Sequence, residues 1–212
     1  MSYILIKIED IMRLILLRHG ETLWNKELRL QGHDNSELSP KGIQQAKKIK
    51  HFIQQLSPTR VVTSDLGRAV QTSEIIGFPD AIRCAEIREL NMGEWTGCRK
   101  PELMKTQAKL YNEWRTGSYT PKGGENWFDF CDRIEVGLLR NVYDNDTDIL
   151  AVVHSGVIRA ACKVFLNLSP EHLLPASPGT LTILNFDKNS KKNVKLEAYN
   201  IGSFVPDNDV AD

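Results

Sequence analysis

The stretch LILLRHGET, residues 14–22, joins an unbroken apolar run to a cluster of polar side chains. Four successive apolar residues without polar alternation are typical of a strand that is covered on both faces, as in a parallel sheet. The run ends at Arg18, His19 and Gly20, which therefore follow the carboxyl end of the predicted strand. Ligands of open α/β sheets bind at that edge. The stretch thus predicts a central strand of an α/β fold and one part of a site.

Outward from this strand, the sequence predicts helices that alternate with further strands. Ser39-Pro40 fits a capped helix start, and apolar residues then recur at three- and four-residue steps as far as residue 56. The other predicted helices cover 66–76, 127–142 and 157–166, and the other strands cover 60–63, 82–87, 148–153, 180–186 and 193–201. This order favours an α/β three-layer sandwich, with a mostly parallel central sheet flanked by helices. The last two strands are predicted to form a closing hairpin.

Chain length and the position of the first strand predict the domain organisation. A chain of 212 residues can bury roughly 70% of its unfolded surface, which is enough for one self-sufficient core. We therefore expect a single domain over 1–212, in which residues 1–11 are a possible N-terminal extension because Met12 can itself begin the first strand. Residues 91–124 are predicted to form a small lid-like insertion with one helix near 101–114. The acidic tail from Pro206 is predicted to be disordered at its end.

The composition argues against several classes of protein. Lys and Arg total 27, Asp and Glu total 27, and the formal net charge is zero. Binding to nucleic acid or to anionic membranes through bulk charge needs a basic excess, so we expect neither partner. No apolar run approaches membrane-spanning length, and the four cysteines are widely spaced, without the spacing of a zinc site. We expect reduced thiols, no metal and a cytoplasmic protein, whereas the sequence sets no oligomeric state.

Three further groups of polar residues follow predicted strands, as His19 does. They are Ser64, Asp65 and Arg68; Glu86, Arg88 and Glu89; and His154, Ser155 and Gly156. The carboxyl ends of parallel strands meet at one edge of a sheet, so these groups converge although they lie far apart in the chain. Two histidines, two arginines and a carboxylate at one edge predict a site for a doubly charged anion such as phosphate.

The basic residues at this edge fit the binding of phosphate. Arg18 and Arg68 would hold phosphate oxygens with planar forks of donors, and His154 could add a further donor. The glycines at 20 and 156 would let backbone N–H groups approach the same anion.

Phosphoryl transfer also needs a nucleophile and an acid. A histidine among these groups could attack phosphorus, because neighbouring positive charge favours its neutral form. An acid must then protonate the departing alkoxide. A carboxyl group beside the bound anion retains its proton more readily, which suits Glu89 or Glu86.

Each of these residues also has a purely structural interpretation. Taken alone, Arg68 would be a solvated helix residue, and Ser64 with Asp65 would be a helix N-cap. His33 would be a structural residue, although its loop could border the pocket. We prefer the functional interpretation because independent segments are predicted to reach the same edge.

The same residues carry a resemblance to a known family. The matching motifs lie, in the family's order, at 17–22, 25, 31–32, 38–42, 64–69, 72, 89, 93–97, 123–125 and 154–156. This pattern resembles the histidine phosphatase superfamily, the phosphoglycerate-mutase-like proteins, from about Met12 to beyond Arg159. The resemblance implies phosphoryl transfer through a phosphohistidine, without a metal or a cofactor.

The resemblance also implies a role for each matching residue. His19 would be the nucleophile, and Glu89 would be the acid that later activates water. The implied phosphate ligands are Arg18, Asn25, Arg68 and His154. Secondary candidates in or beside these motifs are Thr22, Gly32, Ser64, Glu86, Ser155 and Gly156.

Motif details imply a branch and a substrate. The form of 92–97 and the short chain are similar to the phosphatase branch rather than to the glycolytic mutases. Residues 111–114 and 121–125 add a similarity to the α-ribazole phosphatases of cobalamin biosynthesis, which remove a 5′-phosphate from a small phosphorylated metabolite. Alternatives in the superfamily are a phosphatase of broad specificity, a phosphatase of another small metabolite such as phosphoserine or a sugar phosphate, and, less favoured, a phosphoglycerate mutase. Outside it, a metal-dependent hydrolase would use His19, Asp65, Glu89 and His154 as ligands, and a non-catalytic domain would only bind a phospholigand.

Overall fold

The computed structural model describes residues 11–190 and 193–202. Most of the possible N-terminal extension, 1–10, and the acidic tail from Pro206 lie outside the described residues. Residue 11, which we assigned to that extension, is the first residue of strand β1, Ile11–Arg18. Among the residues that are described, no helix is long and apolar enough to cross a bilayer.

Six strands form one sheet within the described part of the chain. They are β1 Ile11–Arg18, β2 Arg60–Ser64, β3 Ile82–Cys84, β4 Ile149–Val153, β5 Leu181–Asp187 and β6 Lys195–Ile201. Their order across the sheet is β3-β2-β4-β1-β5-β6. The first four run parallel, whereas β5 is antiparallel to both β1 and β6. The predicted mostly parallel sheet and the closing hairpin are confirmed.

Helices cover both faces of this sheet. The α-helices of the described residues are α1 Leu23–Lys26, α2 Pro40–Leu56, α3 Gly67–Ile76, α4 Lys100–Thr106, α5 Ala108–Arg115, α6 Trp127–Tyr143 and α7 Ser155–Leu166. In β1, Ile15 and Leu17 belong to the core beneath α2 and α3, whereas Leu14 and Leu16 belong to the core beneath α6 and α7. Successive strand residues point to opposite faces, so the continuous apolar run serves two layers. The three-layer sandwich is confirmed.

The register of the parallel strands aligns their carboxyl ends. Arg18 of β1 is paired with Val153 of β4, and Thr63 of β2 is paired with Val152 of β4. The chain therefore leaves these three central strands at nearly the same level of the sheet. This register brings together the polar segments that follow them.

The two helices on the α2 and α3 face differ in how they begin. Ser39 caps α2 as predicted, because its Oγ accepts a hydrogen bond from the N–H of Gly42 at 3.1 Å. The alternative interpretation of Ser64 and Asp65, as the N-cap of α3, does not match the structure. The N-cap residue is Leu66, without a side-chain hydrogen bond, and the carboxylate that we expected there is held by a guanidinium group described below.

The segment 91–124 contains two short helices where the sequence predicts one. Gln107 ends α4 and precedes α5 with φ −140° and ψ 34°, which is outside the helical region. The break lets α5 pack its aromatic residues on Trp95, whose ring centroid lies 6.3 Å from that of Tyr111 and 6.0 Å from that of Trp114. Tertiary packing of this kind overrides local helix propensity. A lid function for the segment stays a prediction.

The third strand is shorter than the predicted 82–87. It ends at Cys84, and Ala85–Ile87 form a single 3-10 turn. The strand lies at the edge of the sheet and pairs with β2. The turn buries Ile87 fully and redirects the chain toward α6, so the residues that follow reach the sheet edge from the side.

Candidate active site

Two histidines meet at the carboxyl ends of β1 and β4. His19 is 2% exposed and His154 is fully buried, and their ring centroids lie 5.2 Å apart with an interplanar angle of 61°. The backbone N–H of His19 donates to the carbonyl of Val153 at 3.0 Å, which continues the sheet ladder by one residue. The predicted convergence of the two segments is therefore present.

The surroundings of His19 define both its charge and its tautomer. Burial, followed by the charges of Arg68 and Arg18, lowers the pKa of His19 well below its usual 6.5, so the ring is neutral at pH 7. Its Nδ1 lies 2.7 Å from the carbonyl oxygen of Gly20. A carbonyl only accepts hydrogen bonds, so Nδ1 carries the proton and Nε2 carries the lone pair. The arrangement prepares Nε2 as a nucleophile.

Arg68 reaches the site from the first turn of α3. It is 1% exposed, and it donates through Nη1 to the carbonyl of Asp34 at 2.7 Å and through Nη2 to the carbonyl of Gly32 at 2.8 Å. These acceptors orient the guanidinium fork without neutralising its charge. Burial lowers the pKa of Arg68 to about 10, so the cation persists at pH 7.

Arg18 is the second buried cation at this edge. It is 1% exposed, and its Nη1 donates to the carbonyl of Ala176 at 2.5 Å. Burial lowers the pKa of Arg18 to about 10, so this group is also protonated at pH 7. Two buried guanidinium groups beside neutral histidines form a site that attracts an anion.

His154 has a buried imidazole ring at this edge of the sheet. Neither of its ring nitrogens has a hydrogen-bond partner among the described residues, although both are buried. Burial and the charges of Arg68 and Arg18 lower the pKa of His154 well below 6.5, and His19 acts in the same direction. A buried ring that lacks partners is costly, and a phosphoryl oxygen would accept the hydrogen bond that its N–H group can donate.

The structure separates the two candidate acids. Glu89 is 3% exposed, and its Oε2 accepts from the N–H of Gly156 at 3.1 Å, two residues after His154, which places it at the site. Glu86 instead accepts from Arg140 at 2.9 Å on the side of α6 and from the thiol of Cys84 at 3.2 Å. Of the two carboxylates that sequence alone allows, only Glu89 stands beside the buried cations.

The N–H groups of Gly20 and Gly156 have hydrogen-bond partners within the protein. The N–H of Gly20 donates to Thr72 Oγ1 at 3.1 Å, and the N–H of Gly156 donates to Glu89 Oε2 at 3.1 Å. The other oxygen of Glu89 accepts from the N–H of Leu90 at 2.9 Å. A Cβ atom on Gly156 would lie 2.2 Å from Glu89 Oε1. The absence of a side chain at Gly156 therefore makes room for the carboxyl group of Glu89.

The secondary candidates mostly build the frame of the site. Thr22 caps α1, accepting from the N–H of Asn25 at 3.0 Å, and its own N–H donates to Asn25 Oδ1 at 3.1 Å. Ser64 is fully buried and accepts from the N–H of Leu66 at 3.4 Å. Ser155 is the first residue of α7 and is buried.

Asp65 is paired with an arginine. Arg88 donates to its two carboxylate oxygens at 2.7 and 2.5 Å, and this bonding lowers the pKa of Asp65. Across the described ranges, no group of three His, Cys, Asp or Glu side chains is arranged to hold a metal ion. The alternative ligand set for a metal-dependent hydrolase is thus not assembled.

Sequence reasoning missed two arginines near the site. Arg159 is 4% exposed, its Nη2 donates to the carbonyl of Arg115 at 2.8 Å, and its guanidinium lies 5.5 Å from the ring centroid of Trp127. One charged residue within the apolar run 157–162 is a signal that could have identified it. Arg133 contacts the backbone around Glu89, and nothing in its local sequence marks it.

Comparisons with known proteins agree with this geometry. A model of the histidine phosphatase superfamily (branch 1) matches residues 14–199. A glucosyl-3-phosphoglycerate phosphatase of Mycolicibacterium vanbaalenii is 30% identical over 172 residues, which are 74% of this chain and 76% of that protein.

Two solved structures share the fold. A mycobacterial glucosyl-3-phosphoglycerate phosphatase in complex with VO3 superposes with a TM-score of 0.81 at 26% identity, over 89% of this chain and 98% of the other. The α-ribazole phosphatase from Shigella flexneri gives a TM-score of 0.76 at 27% identity, over 92% and 100%. With the family match over 14–199, these similarities show that the chain belongs to branch 1 of the histidine phosphatase superfamily.

Proposed function

We propose that this phosphomonoester hydrolase works through a covalent phosphohistidine at Nε2 of His19. One observation carries the proposal. His19 is buried and neutral, and its Nδ1 proton is held by the carbonyl of Gly20 at 2.7 Å, so the lone pair is on the nitrogen that remains for attack. Arg18, Arg68 and His154 surround it and supply donors for the phosphoryl oxygens.

The first half of the reaction transfers the phosphoryl group to the enzyme. As Nε2 of His19 bonds to phosphorus, the ester P–O bond breaks and charge develops on the departing oxygen. Glu89 donates its proton to that oxygen, and the alcohol leaves. Arg18 and Arg68 stabilise the charge that spreads over the equatorial oxygens, because preorganised donors act strongly in a site with little water.

The second half returns the enzyme to its starting state. Glu89, now a carboxylate, takes a proton from water as the water oxygen bonds to phosphorus. The P–N bond to His19 breaks, orthophosphate forms, and the imidazole regains its lone pair at Nε2. Glu89 therefore acts as an acid and then as a base, as expected of a single group that serves both half-reactions.

A trapped phosphoenzyme tests this mechanism. We expect wild-type protein, mixed with a labelled phosphomonoester and quenched within milliseconds, to carry label that is stable in base and labile in acid, as a phosphoramidate is. His19→Ala removes the nucleophile and should carry none. His154→Gln should form the phosphoenzyme on the order of 100-fold more slowly, the loss typical of removing one donor to the transition state. Label on a serine, or label retained in His19→Ala, would overturn the proposal.

For the substrate, we propose α-ribazole 5′-phosphate. The support is the similarity at 111–114 and 121–125 and the likeness to the Shigella flexneri α-ribazole phosphatase. The wide spacing of the four cysteines supports a cytoplasmic location, because it does not suggest a disulfide framework. A second candidate is a glycosylated phosphoglycerate, favoured by the glucosyl-3-phosphoglycerate phosphatase that is 30% identical.

A substrate panel decides between these two candidates. It contains α-ribazole 5′-phosphate, glucosyl-3-phosphoglycerate, phosphoserine and the phosphoglycerates, each measured by release of orthophosphate. We expect the highest kcat/KM for α-ribazole 5′-phosphate. A higher value for glucosyl-3-phosphoglycerate would favour the second candidate, and similar values for all four would indicate a phosphatase of broad specificity.

A further inference from the structure

Arg133 of α6 binds the segment of backbone that carries Glu89. Its Nη1 donates to the carbonyls of Glu86 at 2.8 Å and of Arg88 at 3.1 Å, and its Nη2 donates to the carbonyl of Glu89 at 3.3 Å. The residues after the 3-10 turn, 88–92, have no regular secondary structure. In a helix or a sheet, backbone N–H groups would donate to these carbonyls. Here a single guanidinium group donates to three of them.

Glu125 holds Arg133 in turn. The Nε and Nη2 atoms of Arg133 donate to its two carboxylate oxygens at 2.8 and 2.6 Å, in the bidentate geometry that fixes both groups. The pair is largely buried, with side-chain exposures of 23% and 18%. Glu125 is also tied to the same segment, because its N–H donates to the carbonyl of Asn91 at 3.0 Å. The pair therefore spans the backbone on both sides of Glu89.

His33 adds a second contact to the carbonyl of Glu89. Its Nε2 lies 2.9 Å from the carbonyl oxygen of Glu89, so Nε2 is the donor. The loop of His33 also supplies the carbonyls of Gly32 and Asp34 that orient Arg68. Positions of the acid and of one phosphate ligand are thus fixed relative to each other by backbone contacts.

We propose that Arg133, held by Glu125, is a positioning residue that sets where the Glu89 carboxyl meets the leaving oxygen. The proposal rests on the proposed function, because it has meaning only if Glu89 is the acid. Arg133 does not touch the buried cations; it acts through the backbone of Glu89. Proton transfer needs hydrogen-bond distance, and a misplacement of about 1 Å can lower a rate on the order of 100-fold.

The test compares substrates that differ in their need for an acid. p-Nitrophenolate leaves without a proton, whereas the alkoxide of phosphoserine requires one. We expect Arg133→Met to slow phosphoenzyme formation from phosphoserine on the order of 10- to 100-fold, and to slow formation from p-nitrophenyl phosphate less than about threefold. Arg133→Lys keeps the charge but cannot reproduce the fork, so it should give an intermediate loss, and Glu125→Gln a smaller one.

Arg140→Met is the matched control. Arg140 lies two turns further along α6 and binds the side chain of Glu86 at 2.9 Å, so it contacts the same segment without touching the Glu89 backbone. We expect Arg140→Met to form the phosphoenzyme from phosphoserine and from p-nitrophenyl phosphate at the wild-type rates. The burst amplitude counts folded sites in each variant, so partial unfolding lowers the amplitude and leaves the ratio of the two rates unchanged.

A double-mutant cycle with Glu89→Gln tests whether Arg133 acts through Glu89, separately from whether the phosphohistidine mechanism is right. Glu89→Gln by itself changes the ratio of the phosphoenzyme-formation rates from p-nitrophenyl phosphate and from phosphoserine. If Arg133 acts through Glu89, then adding Arg133→Met does not change this ratio further. Equal losses for both substrates, or additive losses in the cycle, would overturn the positioning role while leaving the mechanism intact. Absence of any phosphoenzyme in the wild type would instead overturn the proposed function. If Arg133→Met does not fold, the same ratio of rates is measured for Arg133→Lys and Glu125→Gln, and it tests the positioning role in the same way.

Discussion

At the scale of single residues, the site depends on histidines that are kept neutral. His19 and His154 are buried beside Arg18 and Arg68, and both histidine pKa values lie well below 6.5 for that reason. The same surroundings that keep the two imidazole rings neutral make protonation of these rings unfavourable in the folded protein. Catalytic readiness and acid sensitivity therefore have one physical cause.

This cause predicts how stability depends on pH. Below pH about 6.5 the unfolded chain binds protons at these histidines and the folded chain does not, so the free energy of unfolding falls as the pH falls. Each buried histidine contributes up to about 1.4 kcal/mol per pH unit. We expect His154→Gln to show a shallower loss than the wild type between pH 6.5 and 5, measured by urea unfolding. His51→Gln, at an exposed position of α2, should retain the wild-type slope.

At the scale of secondary-structure elements, α6 packs tightly against the turn before Glu89. A Cβ atom on Gly137 would lie 2.7 Å from the Cβ of Glu86 and 3.3 Å from its carbonyl carbon. The same helix carries Arg133, which binds the backbone of that segment. The helix therefore contacts the segment that carries Glu89 through both packing and hydrogen bonds, at a position that the strand order alone does not define.

The close approach predicts an unusual effect of alanine. Alanine normally stabilises a helix interior relative to glycine by up to about 1 kcal/mol, but overpacking costs about 1–3 kcal/mol. We expect Gly137→Ala to lower the melting temperature, whereas Val136→Ala, at a position that is 56% exposed, should leave it unchanged or raise it. A more stable Gly137→Ala protein would show that the turn moves away without cost.

At the scale of the whole molecule, a net charge of zero conceals an uneven distribution. The chain has 27 basic and 27 acidic residues, yet Arg18 and Arg68 are buried together at the sheet edge with only about 1% exposure each. Burying these like charges close together costs free energy, which interactions in the rest of the fold must offset. A bound dianion would reduce this cost.

Anion binding should therefore stabilise the whole fold. A ligand that binds only the folded state adds about 2.7 kcal/mol when its concentration is 100 times its Kd. We expect inorganic phosphate to raise the melting temperature of the wild type in a saturable way, and sodium chloride at equal ionic strength to raise it far less. Arg68→Met should abolish the phosphate effect. An equal rise in that variant would mean that phosphate binds elsewhere or acts through excluded solvent.

The sequence by itself determined the sheet, the two layers and the convergence of His19, Arg68 and His154. These features follow from local patterns: a doubly buried strand has a continuous apolar run, and parallel strands end at one edge. The motif match already favoured Glu89 over Glu86, and the tertiary structure adds that Glu86 is bound by Arg140 on the side of α6. Only the tertiary structure decided that Gly156 donates its N–H to the Glu89 carboxylate. It also decided the hydrogen bond from Arg133 to the carbonyl of Glu89 and the break at Gln107. These outcomes depend on contacts between residues far apart in the chain, whose distances and directions leave no periodic signal in the sequence.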